Sequence, residues 1–219
     1  MKLSHGFYFP DYDTHFPRLL EKSIRKTGVS RYQHKARDFA VSICDKKQIA
    51  LDIGANVGLW SCDLVKEFQQ VIAFEPVSEF RNCFKKNVIG NNYTLHECAL
   101  GNIDSMIEMI ITEDNTGHSH VDPTSFGRGK IPIKPLDSFN LSKVDFIKID
   151  CEGFETQILN GAKNTILKNK PVIVIEQQSH EYLDQRSEIP DVRLLESWGY
   201  EIIEQFNKDW ILKARGALS

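Results

Sequence analysis

The sequence predicts an α/β protein with a Rossmann-like, seven-stranded, mostly parallel sheet. The last strand is antiparallel, helices cover both faces, and an N-terminal extension precedes the sheet. Three observations predict it. From residue 48 onward, short apolar runs alternate with amphipathic stretches, the pattern of βαβ units. The first run ends at Asp52 and meets a tight turn bracketed by Gly54 and Gly58, the way a first strand enters a ligand-binding loop. The chain then closes with two strand-like runs around Asn207-Lys208-Asp209, a hairpin signal.

Residues 1–47 form the extension. The first 29 read as irregular and carry aromatics at Phe7, Tyr8, Phe9, Tyr12 and Phe16. Residues 30–46 place Tyr32, Ala36, Phe39, Ala40 and Ile43 on one side, with Ser30 as N-cap, which predicts an amphipathic helix. The domain proper spans 48–219. Its expected elements are a strand at 48–53, a helix at 57–68, a strand at 71–74, a helix at 78–89 and a strand at 93–100. Two added strands follow, 105–112 and 130–133. They flank a loop at 113–129 that holds His118 and His120, long enough to serve as a lid or substrate loop. A strand at 144–150, a helix at 154–169, a buried strand at 171–175 and a helix at 191–198 closed by Gly199 lead to the final strands, 200–205 and 210–213.

Composition bounds the partners. No apolar run approaches the roughly 20 residues that span a bilayer. The first residues lack the apolar core of a signal peptide. Five cysteines without a Cys-x-x-Cys pair read as reduced thiols, which predicts a cytoplasmic protein with neither a disulfide framework nor a zinc site. The net charge of −3 is uneven: residues 18–37 hold seven Lys/Arg against Glu21, leaving about −9 for the rest. That segment is either a steering patch for an anionic partner or a solvated helix face.

The candidate chemistry gathers at the carboxyl ends of the strands, where open α/β sheets bind ligands. Asp52, Gly54, Ala55, Asn56 and Gly58 lie at the first such end. Their Gly-x-x-x-Gly spacing differs from the Gly-x-Gly-x-x-Gly of dinucleotide enzymes and turns the reading from hydride transfer towards methyl transfer. Glu75, 21 residues after Gly54, ends the second strand and suits both hydroxyls of a ribose. Asp150 ends the fourth core strand and Glu152 follows it. Glu176 ends the fifth, with His180 four residues on. Asp150, Glu176 and His180 can converge on one pocket and take a hydroxyl proton. Two carboxylates there could instead hold a divalent metal, although no metal is assigned. Cys151 reads as a small buried side chain rather than a nucleophile.

At these residues a resemblance appears. Residues 51–58 (Leu-Asp-Ile-Gly-Ala-Asn-Val-Gly), Phe74-Glu75-Pro76, Pro135-Leu136-Asp137 and residues 147–155 (Ile-Lys-Ile-Asp-Cys-Glu-Gly-Phe-Glu) look like the motif series of the FkbM-type methyltransferases. The resemblance covers about residues 48–206, and the extension falls outside it. Cys151 departs from it, where an aliphatic residue is more usual. The resemblance implies S-adenosylmethionine as cofactor. It implies contacts from Asp52 to Gly58, from Glu75 and Pro76, and near Ala99 and Leu100, with Asp150 and Glu152 beside the transferred methyl. It further implies O-methylation of a sugar, glycan or other small-molecule hydroxyl.

Rival readings are a nucleic-acid acceptor (an RNA ribose or cap), an NAD-dependent oxidoreductase, and a catalytically silent nucleotide-binding module.

Overall fold

A computed structural model describes residues 1–177 and 190–216. Seven strands form the central sheet. In chain order they are β3 (Ile49–Ile53), β4 (Gln70–Phe74), β5 (Tyr93–His96), β11 (Val144–Ile149), β12 (Val172–Glu176), β13 (Tyr200–Phe206) and β14 (Asp209–Ala214), counting from a short N-terminal hairpin, β1 (Lys2–Ser4) and β2 (Phe7–Phe9). Their spatial order is β13-β14-β12-β11-β3-β4-β5. β14 runs antiparallel to both neighbours and the other pairings are parallel, as expected. The order reverses at β3, so the ends of β3 and β11 frame the crevice where such sheets bind ligands.

Side-chain alternation builds a layer on each face. Leu51, Ile53, Ile147, Ile149, Ile173 and Ile175 point towards α5 (Glu155–Asn169) and α6 (Pro190–Ser197), where Ile158, Leu159, Ile166 and Leu195 meet them. Ala50, Val71, Phe146, Val172 and Val174 point the other way. There they meet α2 (His34–Ser42), α3 (Ser61–Glu67) and α4 (Ser78–Asn87) through Ala40, Leu64 and Phe84. Strands buried on both faces are apolar almost throughout, which is why these runs were legible. Lys148 and Asp52 break the pattern, and both belong to the site.

The extension departs from the sequence expectation. Residues 1–29 are ordered elements: the β1–β2 hairpin and helix α1 (His15–Thr27). The Asp13 carboxylate accepts the N–H groups of His15 and Phe16, at 2.9 and 3.2 Å, which anchors the start of α1. Gly28, at φ +74°, ends it. Phe9, Phe16 and Leu20 then pack on Val57, Leu59 and Cys83. Asn87 ties the hairpin to α4 by accepting from Tyr8 N and donating to Tyr8 O, at 2.7 and 2.9 Å. The second helix is shorter than expected, because Ser30 donates to His5 O instead of capping it. Arg31 and Arg37 of the basic segment are spent internally: Arg31 forms a fork with Asp38, and buried Arg37 meets Asp63 at 2.6 Å. Arg18, Lys22 and Lys26 of α1 stay exposed, with no ion pair among the described residues.

The expected strand at 93–100 is also broken. Residues 99–100 leave the main sheet as β6 (Ala99–Leu100). β6 pairs with β10 (Ile131–Lys134), which in turn pairs with β7 (Ser105–Ile107). β8 (Met109–Ile110) pairs with β9 (His120–Val121) inside the loop expected at 113–129. Gly161 lets α5 lie against this region, since a Cβ there would sit 1.9 Å from Gly101 O.

Candidate active site

The turn after β3 is shaped by one close contact. Gly54 sits at φ +74°, and a Cβ on it would lie 2.0 Å from the Asp150 carbonyl oxygen and 2.8 Å from Cys151 Sγ. Only glycine allows the first loop to touch the end of β11 in this way. Lys148 locks the same junction from beneath. Its Nζ donates to Gly54 O at 2.9 Å and lies 3.6 Å from Asp52 Oδ1 and 3.5 Å from Asp150 Oδ2. Burial alone would lower the lysine pKa, but Asp150 and Asp52 outweigh it and hold the ammonium charged.

Asp52 itself is fully buried. It accepts from Ser61 Oγ at 2.6 Å and leans towards Lys148, and it lines neither of the two cavities described below. Gly58 also sits behind the loop, where a Cβ would meet Val88 and Phe84 at 2.7 and 2.9 Å. Both residues thus stand behind the loop, where they shape its backbone.

Gly54, Asn56, Glu75, Pro76, Ala99, Leu100 and Asp150 do share one cavity. Glu75 accepts from Asn56 N through Oε2 and from Val77 N through Oε1, both at 2.8 Å. Two N–H groups fix its plane and leave a lone pair on each oxygen for further donors. Burial pushes its pKa up to about 7 against the pull of those N–H groups and Arg81. An acid fixed at the end of the second strand, a hydrogen-bond acceptor beside the apolar slot of Pro76, Phe80, Ala99 and Leu100, suits the ribose hydroxyls and the base of an adenosine. The residues present therefore fit an S-adenosyl group.

A second cavity lies beside the same loop. Gly54, Asn56, Gly117, Asp150 and Glu152 line both spaces, and Ala55 lines the second. Asp150, Glu152 and Glu176 meet there, each offering an oxygen within 4.8 Å of the others, an arrangement that could also hold a cation. Burial and Asp150 push Glu176 up to about 9. Burial and Asp150 likewise push Glu152 up to about 7. Glu152 stands at φ +51°, a left-handed conformation that a non-glycine residue adopts only where its surroundings impose it. The turn is held by Glu155 Oε1, which accepts from Cys151 N and Gly153 N at 2.9 and 3.2 Å. Burial pushes the Cys151 thiol well above its usual value, which keeps it from acting as a nucleophile.

His180 lies outside the described residues. His118 lines the second cavity. His120 does not; its Nδ1 is 3.0 Å from His118 O. Sequence reasoning passed over three contributors. Lys148 stood only inside the 147–155 motif, with no role given to it. Asp209 looked like part of a turn, yet the β12–β14 register sets it opposite Glu176, and burial with Asp150 pushes it up to about 7. Tyr32 looked like a helix core residue. A period-two reading of residues 144–150 could have exposed Lys148, because it shares a face with Phe146.

A family model described as the methyltransferase FkbM domain matches residues 52–202. The chain belongs to the FkbM methyltransferase family. A curated relative, Methyltransferase 1 of Beauveria bassiana strain ARSEF 2860, is 24% identical over 191 residues, covering 73% of this chain and 74% of the relative. Among solved structures, an FkbM methyltransferase from Methylobacillus flagellatus KT is similar over 77% of this chain at 22% identity and a TM-score of 0.49, and the chain spans only 43% of its length. Magnesium protoporphyrin IX methyltransferase from Synechocystis PCC 6803, solved with bound SAM, aligns over 94% of this chain and 86% of its own at 11% identity and a TM-score of 0.52, a likeness of fold. The FkbM match begins at Asp52, so α1, α2 and the hairpin lie before it.

Proposed function

We propose that this FkbM-family protein transfers a methyl group from S-adenosylmethionine to an oxygen of a small hydroxylated acceptor, such as a sugar or the end of a glycan. One observation carries the reading: two cavities share a wall made of Gly54, Asn56, Asp150 and Glu152, so ligands in each meet at the carboxylates. S-adenosylmethionine is the cofactor, and when bound it supplies a methyl already activated on a sulfonium.

The chain's residues do the rest. Glu75 accepts the ribose hydroxyls. Pro76, Ala99 and Leu100 flank the base. Gly54 and Asn56 shape the turn between the two ligands, and Thr116–His118 roofs them. Positioning the acceptor oxygen and excluding water supply most of the acceleration for such a transfer. Glu152, poised near neutrality, takes the acceptor's hydroxyl proton on its carboxylate. Glu176 holds a proton shared with Asp150, which keeps the three carboxyls together without a full set of charges.

The carboxylate cluster favours a second reading, in which a divalent cation takes the place of that proton. A chelator would then abolish transfer and magnesium restore it, whereas the proton-sharing arrangement is indifferent to both.

Calorimetry tests the cofactor site. Wild type should bind S-adenosylmethionine and S-adenosylhomocysteine. Glu75→Ala should weaken both about tenfold to a hundredfold, the range for hydrogen bonds to a charged group. A wild-type protein with no affinity for either would sink the reading.

A further inference from the structure

The N-terminal segment precedes the stretch matched by the FkbM model, yet it builds one side of the second cavity. His15 and Phe16 from the start of α1, and Tyr32 from the turn before α2, stand across it from Asp150, Glu152 and Glu176. We infer that this segment is the acceptor-recognition element of the enzyme, with the Tyr32 hydroxyl donating a hydrogen bond to the acceptor. The inference rests on the methyltransferase reading above.

Tyr32 is held as a working side chain would be. Its ring meets Phe16 edge-on, with centroids 5.2 Å apart at 84°. Its carbonyl accepts from Arg37 Nη1 at 2.9 Å, and Arg37, 1% exposed, is itself fixed by Asp63 at 2.6 Å. The next residue, Gln33, is left-handed at φ +43°, a strained state for a non-glycine residue. Two contacts pin it: Trp60 Nε1 donates to its Oε1 at 2.6 Å, and its Nε2 donates to Asp209 at 3.4 Å. A buried ion pair and a strained turn thus converge on the placement of one phenol. The ring packs against the core, but the hydroxyl makes no hydrogen bond among the described residues, and the residue lines the cavity. Tyrosine hydroxyls in packed surroundings usually find a partner. Burial, Asp150 and Glu176 push its pKa well above the usual value, so it stays a donor at any working pH.

The two sides of the cavity define the ligand class. The carboxylates accept hydrogen bonds, Tyr32 donates one, and Phe16 and Leu59 add apolar surface. The complement is a hydroxylated small molecule or chain end that offers O–H groups to the carboxylates and a second oxygen to Tyr32.

The test uses tritium-labelled S-adenosylmethionine and the low-molecular-weight fraction of a cell extract as acceptor source, with wild type, Tyr32→Phe and Tyr32→Trp. In Tyr32→Phe, the amount of fraction giving half-maximal rate should rise about threefold to tenfold, as for one lost neutral hydrogen bond. Its S-adenosylhomocysteine affinity should stay within about twofold of wild type, the scatter allowed to a side chain that makes no cofactor contact. Tyr32→Trp should fill the cavity and stop transfer with cofactor affinity intact. Unchanged half-saturation in Tyr32→Phe, or a loss of cofactor affinity parallel to the loss of rate, would overturn the inference and leave the methyltransferase reading standing. Wild-type protein that labels nothing would overturn both.

Discussion

At the scale of single residues, the proposed chemistry rests on carboxylates poised near neutrality. Burial holds Glu75 at about 7, and ribose hydroxyls donate best to its ionised form. Below that pH, binding must first strip a proton, so cofactor affinity should rise between pH 6 and 8 and level off above. Glu75→Gln should flatten the profile, and calorimetry across that range checks it. Glu152 gives the parallel prediction for rate. Transfer should rise through an apparent pKa near 7, and Glu152→Gln should remove that limb and cost about 10²- to 10⁴-fold, the range for general-base catalysis. Retention of the limb would move the base to Asp150 or to His180. Much of this was legible in the sequence. Asp150, Glu152, Glu176 and Glu75 each end a strand or follow one, and strand ends converge by topology. The placing of Asp52 and Gly58 behind the loop was not legible, because a motif fixes where the backbone runs, not which side of the loop a residue takes.

At the scale of elements, the legible parts were those with a clean period. Strands buried on both faces and the spaced apolar residues of α5 stand out in any window. Helix α1 did not, because its apolar positions Phe16, Leu20 and Ile24 are interleaved with Arg18, Lys22, Arg25 and Lys26, and Pro17 reads as a breaker. Proline is tolerated there because the first turn of a helix needs no N–H from it. The break between β5 and β6 was hidden because residues 93–100 keep a strand-like pattern while changing sheets. A prediction belongs here. Gly161→Ala improves helix propensity by about 1 kcal/mol, yet its Cβ would meet Gly101 O at 1.9 Å. The clash should win, at about 1–3 kcal/mol of net destabilisation, visible as a lower unfolding midpoint in denaturant. A midpoint that rises would mean that α5 can shift without cost.

At the scale of the whole molecule, the buried acids couple folding to pH. Glu75, Glu152, Glu155 and Asp209 are each raised to about 7, and Glu176 to about 9. A carboxyl whose folded pKa is raised binds its proton more tightly in the native state. Its contribution is fully present below the unfolded pKa and is lost as pH rises through the folded one. The melting temperature of the cofactor-free protein should therefore fall between pH 5 and 9, most steeply between the ordinary carboxyl range and about 7. Glu176→Gln should reduce that slope at its alkaline end. A melting temperature that climbs over this window would show that the acids are ionised in the fold. No helix among the described residues is long and apolar enough to cross a membrane.

The contact between Gly54 and Asp150 has a consequence for how this protein can change over time. What a side chain at position 54 would strike is a main-chain oxygen. That oxygen belongs to every amino acid position 150 could carry. Damage from Gly54→Ala thus has no second-site suppressor at its point of impact, and a suppressor selection begun from that variant should return reversions at 54 and nothing at 150. The loop and the strand end beside it are free to vary only around this shared point.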